Sequence, residues 1–217
     1  MIYVGWAALY EGETDSHYFN ALLPRVMTDL VLHGRGQDSV IPDSPAVRLG
    51  RGTVTQVAEE ACSARNAFHL IFIHADSGGR NLETQLISRG VAYCEAMQRR
   101  CDFQPVRCIT VTPRHEMEAW MLADPSAVGE SLGSRASADR LGLPADASQA
   151  ERLIDPKSVL LNAIQIVTGR RRRRPNDLQF LYSSIAERQS LESLRRSSSF
   201  VAFESRLAAA LVSIGCL

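Results

Sequence analysis

The feature that most constrains the fold is the alternation of short apolar runs with longer stretches of helical periodicity. Residues 2–10, 68–73 and 106–111 form three almost wholly apolar runs. Apolar residues recur at helical spacing between and beside these runs, at about 16–32, 54–62 and 82–99. Strands that are apolar on both faces and alternate with helices are typical of parallel sheets. We therefore predict an α/β fold, with a mostly parallel sheet flanked by helices.

The last third of the chain shows helical patterns and no convincing strand. Its apolar residues recur at helical spacing at about 159–167, 178–186 and 200–211. Residues 33–52 are rich in Gly, Pro, Asp and Ser, which predicts an irregular connection that holds at most one strand. We expect an α/β domain at 1–124 and a helical region at 125–217, packed together as one compact unit.

Composition and charge exclude several classes of protein. The 217 residues carry a formal net charge of zero, so any contact with nucleic acid must come from a local basic patch. No stretch approaches the roughly 20 apolar residues that cross a bilayer, which predicts a protein without membrane insertion. The five cysteines are odd in number and lack CxxC spacing, which argues against both a disulfide framework and a zinc knuckle. These features predict a cytoplasmic protein.

Acidic residues recur directly after the predicted strands, at Glu11, Glu13 and Asp15, then Asp76, then Glu116 and Glu118. Ligands of open α/β sheets collect beyond the carboxyl ends of the strands. Carboxylate oxygens suit Mg²⁺ or Mn²⁺, which activates water and neutralises the charge that develops on a phosphodiester. The alternative is that these acids cap helices and face solvent, above all Glu13 and Asp15, and we expect Thr14 or Asp15 to be the N-cap of the first helix.

Basic residues supply a second set of candidates. Lys157 is the only lysine, and it could contact a scissile phosphate or simply be a surface lysine at a helix start. Arg80 follows a Gly pair that could cradle a phosphate. A run of five arginines could engage about three to five phosphates or form a solvated loop: Arg170, Arg171, Arg172, Arg173 and Arg174. No aromatic residues interleave with this run, so any binding of DNA or RNA should be independent of sequence.

Several of these segments together resemble the DUF4276 family. They are Glu11-Gly12-x-Thr14-Asp15 after the first strand, the acidic turn after the central strand, and Arg114-His115-Glu116-Met117-Glu118-Ala119-Trp120-Met121-Leu122-Ala123-Asp124-Pro125. The resemblance extends to Asp155-Pro156-Lys157 and to Leu194-Arg195-Arg196-Ser197-Ser198-Ser199-Phe200. DUF4276 proteins are similar to the Toprim superfamily and to the nuclease part of OLD-type proteins, which are considered in bacterial genome defence beside an ATPase.

The resemblance implies a Toprim-like (Rossmann-like) fold and phosphodiester chemistry. It implies that Glu11 acts as general acid/base or metal ligand and that Asp76 binds Mg²⁺. His74 stands where the family carries the first aspartate of a DxD pair. Histidine is a poorer Mg²⁺ ligand than a carboxylate, so His74 either shifts the preference toward Mn²⁺ or weakens the case for catalysis. Glu116 or Glu118 could replace the missing charge, and spacing does not choose between them.

The preferred function is a divalent-metal-dependent nuclease, or the nuclease subunit of a bacterial defence system. Its metal would be held by Glu11, Asp76 and Glu116 or Glu118, with His74 as a further candidate, and phosphate by Arg80, Lys157 and the arginine run. One alternative is a non-catalytic Toprim-like subunit that binds nucleic acid or an ATPase partner. Another is a receiver-like phosphoacceptor domain, which the lack of a lysine after a later strand counts against.

Overall fold

The fold is described from a computed structural model for residues 1–34, 36–75, 90–169 and 175–217. The strands are β1 (Ile2–Tyr3), β2 (Trp6–Leu9), β3 (Ser39–Val40), β4 (Val47–Arg48), β5 (Leu70–His74) and β6 (Cys108–Val111). The helices of the first half are α1 (Glu13–His33), α2 (Val54–Ser63), α3 (Ala92–Cys101) and α4 (Glu118–Met121). Those of the second half are α5 (Pro125–Ser131), α6 (Ala138–Leu141), α7 (Ala147–Ala150), α8 (Pro156–Thr168), α9 (Pro175–Arg188), α10 (Leu191–Leu194) and α11 (Ser198–Ser213).

The central sheet has four parallel strands in the order β4-β2-β5-β6, and β1 and β3 form a separate parallel pair. Successive residues of β2 face opposite sides, so Ala8 packs with α1 and the C-terminal helices, while Ala7 packs with α2 and α3. Burial on both faces explains why the strands read as continuous apolar runs. The predicted α/β fold with a mostly parallel, helix-flanked sheet is confirmed.

The first apolar run forms two strands and not one, because the chain breaks its pairing at Gly5. The Gly5 carbonyl accepts a hydrogen bond from the His69 amide at 2.7 Å. A side-chain Cβ at position 5 would lie 2.6 Å from the carbonyl oxygen of Ala67, so only glycine fits at this crossing. The connection at 33–52 contains two short strands, β3 and β4, where at most one was predicted.

Most helices lie where the periodicity predicts them, with differences at their ends. The first helix begins at Glu13 and not at Ser16, and its N-cap is Gly12 and not Thr14 or Asp15. Asp15 instead reaches back from the first turn, where its Oδ2 accepts the Gly12 amide at 2.6 Å. Helix α3 covers the later part of the segment predicted as a helix at 82–99, and residues 82–89 lie outside the described residues. A 3₁₀ turn at Pro105–Arg107 delays the start of β6 to Cys108.

Of the helices after residue 125, α9 and α11 pack directly on α1, and the others contribute to the same apolar core. Arg25 donates to the carbonyls of Ala186 and Gln189, and the Tyr18 hydroxyl donates to Gln189 Oε1 at 2.7 Å. These contacts fix α9 and its C-terminal end against the helix that follows β2. No helix in the described ranges is both long enough and apolar enough to cross a membrane.

The cysteine prediction is wrong, because the structure pairs four of the five cysteines. Cys62 bonds to Cys101 and Cys94 to Cys108, which leaves Cys216 as the free, buried thiol. The two bridges join the ends of α2 and α3 and attach α3 to β6. Neither pair shows a CxxC spacing, because the partners become neighbours only through the packing of helices on the sheet. The cysteines therefore no longer support the predicted cytoplasmic location, because disulfides are rare in the cytoplasm.

We expect unfolded protein prepared without reductant to expose one reactive thiol, that of Cys216. Thiol titration in denaturant, before and after treatment with a reductant, checks this result. A Cys216→Ser variant, treated in the same way, should expose no thiol until it is reduced. Five thiols in the unreduced wild type would contradict the pairing.

Candidate functional site

The described acidic residues that follow the strands lie along the carboxyl edge of the parallel sheet. Glu11 is exposed directly beyond β2, and Asp15 is buried in the first turn of α1. His74 is the last residue of β5. Beyond β6, Glu116 lies in the turn that leads into α4, and Glu118 is the first residue of α4. The sheet topology therefore brings together the residues that sequence reasoning placed after separate strands.

His74 and Asp15 form a buried pair in the middle of this edge. The His74 side chain is 1% exposed, and its Nε2 lies 3.4 Å from Asp15 Oδ2. Its Nδ1 lies 3.0 Å from the Val111 carbonyl, and its ring packs on Phe19 with centroids 4.5 Å apart. Burial alone would raise the pKa of Asp15, but the hydrogen bonds and charge of His74, together with the Gly12 amide, lower it. Asp15 thus holds the helix start and His74 rather than facing solvent.

Glu118 is buried because the residues that follow it pack into the core. Trp120 is fully buried, packs on Phe19 and Phe200, and donates from its indole nitrogen to Ser199 Oγ at 2.8 Å. With Trp120 in the core, the short helix α4 buries Glu118 to 4% exposure, whereas Glu116 stays half-buried. The structure therefore separates the two glutamates that spacing alone could not distinguish.

Lys157 lies against both glutamates. Its backbone amide donates to Glu116 Oε2 at 3.2 Å, and its Nζ lies 3.9 Å from Glu118 Oε1. Helix α8 places it there, because Pro156 occupies the first helical position and the Asp155 side chain caps the helix by accepting the Ser158 amide at 2.8 Å. The Lys157 side chain is 56% exposed, so the ammonium group is accessible to a ligand.

Tyr182, on α9, contacts the same oxygen of Glu118 as Lys157 does. Its hydroxyl donates to Glu118 Oε1 at 3.0 Å. Burial raises the pKa of Tyr182, and the negative charges of Glu118, Asp15 and Glu116 raise it further. Burial likewise raises the pKa of Glu118, against the opposing effects of Lys157 and Tyr182. Sequence reasoning missed Tyr182 because it lies in an ordinary helical pattern, 64 residues from Glu118.

The donor set suits a hard divalent cation, although the described residues do not complete a metal site. Glu116 and Glu118 offer carboxylate oxygens two residues apart, and each is oriented by a donor from another element. Within the described ranges, no group of three or more His, Cys, Asp or Glu side chains has the arrangement of a metal site. The predicted ligand Asp76 lies outside those ranges, as do Arg80 and the arginines Arg170, Arg171, Arg172, Arg173 and Arg174.

A cavity of about 330 Å³ opens beside Glu11 at the ends of β2 and β5. His74 borders it, and Arg51 and Tyr93 line its walls together with the start of α2. The sequence analysis singled out neither Arg51 nor Tyr93, because each lies beside a helix start without a recognisable motif. The predicted general acid/base Glu11 thus faces a concave surface, as a substrate site requires.

Comparisons with known proteins provide no family assignment for this arrangement. No protein-family model matches the chain, and no curated protein or solved structure matches it.

Proposed function

We propose that the protein is a divalent-metal-dependent nuclease with a Toprim-like fold, or the nuclease subunit of a bacterial defence system. The observation that carries the proposal is the contact of Lys157, the only lysine, with both Glu116 and Glu118 at the carboxyl edge of the sheet. Two acids and an exposed cation in one place are what a phosphodiester and its metal require. The parallel sheet and the position of Glu11 after β2 support the same function.

The residues divide into those that hold a metal and those that hold phosphate. Glu11, Asp76 and Glu116 or Glu118 would hold Mg²⁺ or Mn²⁺, which, when bound, activates water and neutralises charge on the phosphate. Lys157 would hold the phosphate oxygens through its exposed ammonium group. In this proposal Arg80 and the arginine run bind the backbone of DNA or RNA without reading its bases. The partner would be an ATPase subunit, and the location the cytoplasm.

The environment of His74 favours a second candidate, a non-catalytic subunit that binds nucleic acid or an ATPase partner. His74 stands where the resembled family carries the first aspartate of its metal-binding DxD pair. Its ring contacts Asp15, the Val111 carbonyl and Phe19. A side chain committed to these contacts is poorly placed to become a ligand. A protein of this kind would keep the fold and the arginine-rich segment at 170–174 but would not cleave.

Metal titration with parallel cleavage assays distinguishes the two candidates. We expect Mn²⁺ to bind the wild type in calorimetry and to support cleavage of plasmid or single-stranded substrates. The Asp76→Ala and Glu118→Gln variants should lose cleavage and most of their affinity for Mn²⁺, because each removes a proposed carboxylate ligand. Glu192→Gln is the matched control, since the Glu192 side chain is 83% exposed on α10.

Three outcomes decide between the candidates. Metal binding with cleavage, the first strongly weakened and the second lost in the two site variants, supports the nuclease. Metal binding without cleavage indicates that a partner subunit is required for activity. Absence of metal binding at millimolar concentration contradicts the nuclease and leaves the non-catalytic subunit.

A further inference from the structure

We propose that Tyr182 is a positioning residue that orients the carboxylate of Glu118 toward a bound divalent cation. The inference rests on the proposed metal-dependent function and goes beyond it by assigning a role to a residue of the C-terminal region. It starts from the 3.0 Å hydrogen bond that the Tyr182 hydroxyl donates to Glu118 Oε1.

The position of Tyr182 does not depend on Glu118. Helix α9 is fixed by several other contacts: Arg25 donates to the Ala186 carbonyl, Ser183 Oγ donates to the His17 carbonyl at 3.1 Å, and Ser184 Oγ lies 3.1 Å from Ser131 Oγ. The Tyr182 ring is only 3% exposed, which restricts its rotation. The Tyr182 hydroxyl is therefore held in place by contacts of α9 that do not involve Glu118.

Holding one oxygen of a carboxylate determines where the other oxygen points. Glu118 Oε1 faces Tyr182 and Lys157, which come from α9 and α8 respectively. Glu118 itself begins α4, the helix that follows β6 at the carboxyl edge of the sheet. Mutating a residue that hydrogen-bonds to a metal ligand typically lowers metal affinity by about 10- to 100-fold.

A purely structural role for the hydroxyl would have a different signature. Tyr18 offers the comparison, because it too is buried and donates a hydrogen bond, but to the uncharged side chain of Gln189 at 2.7 Å. Removing either hydroxyl deletes one buried hydrogen bond and leaves the aromatic ring in the core. Only the Tyr182 hydroxyl contacts a candidate metal ligand, so only its loss should weaken metal binding.

The test is Mn²⁺ titration by calorimetry on the wild type, Tyr182→Phe and Tyr18→Phe, with thermal unfolding of each protein without metal. We expect Tyr182→Phe to weaken Mn²⁺ binding by about 10- to 100-fold and Tyr18→Phe to leave it unchanged. In a Glu118→Gln background, adding Tyr182→Phe should weaken binding no further, because its target carboxylate is already gone. If Tyr182→Phe does not fold, Glu118→Asp, which draws the carboxylate away from the hydroxyl, should cause the same loss.

Two results would overturn the inference, and they are distinguishable. Equal Mn²⁺ affinity in the wild type and Tyr182→Phe would show that the hydroxyl does not position a ligand, while the proposed metal-dependent function would stand. Equal losses of Mn²⁺ affinity in Tyr182→Phe and Tyr18→Phe would also overturn it, because they would show that loosening the core, and not the loss of a positioning hydroxyl, weakens binding. A wild type that binds no Mn²⁺ would overturn the proposed function itself, and this inference with it.

Discussion

Replacing Lys157 by methionine is expected to lower the rate of phosphodiester cleavage by about 100-fold or more. Methionine keeps a flexible apolar side chain of similar length but removes the ammonium group that lies 3.9 Å from Glu118 Oε1 and remains accessible to solvent. In the proposed function this charge stabilises the phosphate as negative charge develops on it. The rate is measured in single-turnover cleavage at saturating Mn²⁺.

The affinity for Mn²⁺ separates this role from a structural one. Lys157→Met should bind Mn²⁺ at least as tightly as the wild type, because the variant lacks a positive charge that opposes a cation beside Glu118. Arg99→Met is the matched control, since Arg99 is 70% exposed and contacts Glu95 on α3. Parallel loss of metal binding and cleavage in Lys157→Met would contradict a phosphate-binding role and indicate a disturbed site.

Replacing Glu151 by glutamine is expected to lower the free energy of unfolding by about 2–3 kcal/mol at neutral pH. The Glu151 carboxylate accepts hydrogen bonds from the Ser197 hydroxyl and from the amides and hydroxyls of Ser198 and Ser199, at distances of 2.6–3.0 Å. It is 5% exposed and lies at the N-terminus of α11, where a negative charge is favourable. Each carboxylate oxygen accepts one backbone amide, from Ser198 or Ser199, so glutamine would turn an NH₂ group, itself a donor, toward an amide that cannot rotate away.

The effect of Glu151→Gln should depend on pH in a defined direction. Burial alone would raise the pKa of Glu151, but the serine hydrogen bonds outweigh burial and lower it. The stabilising contribution is therefore present above the ordinary pKa of a glutamate and is lost as the pH falls through the lowered value. Urea unfolding of both proteins from pH 7 down to pH 3 measures this, with Glu130→Gln as an exposed control. If the difference in unfolding free energy between the wild type and Glu151→Gln stayed constant with pH, the stabilisation would not come from the ionised Glu151 carboxylate.

The sequence predicted the layers of the fold because hydrophobic periodicity records which faces are buried. It predicted that acids gather at one edge, since parallel strands end on the same side of a sheet. It could not choose Glu118 over Glu116, because that choice follows from the packing of Trp120 against α1 and α11. It also missed Tyr182 and the two disulfides, since those partners are distant in the sequence and meet only through tertiary packing.

Lys157 and Tyr182 come from the last third of the chain, so during synthesis they are added after the strands and acids with which they would act. The strands and their acids leave the ribosome first, while the helices that carry the lysine and the tyrosine follow later. A nascent chain would thus present an acidic edge without its cationic and hydroxyl partners. In the proposed function, cleavage would therefore have to wait for α8 and α9, which are synthesised after the strands and their acids.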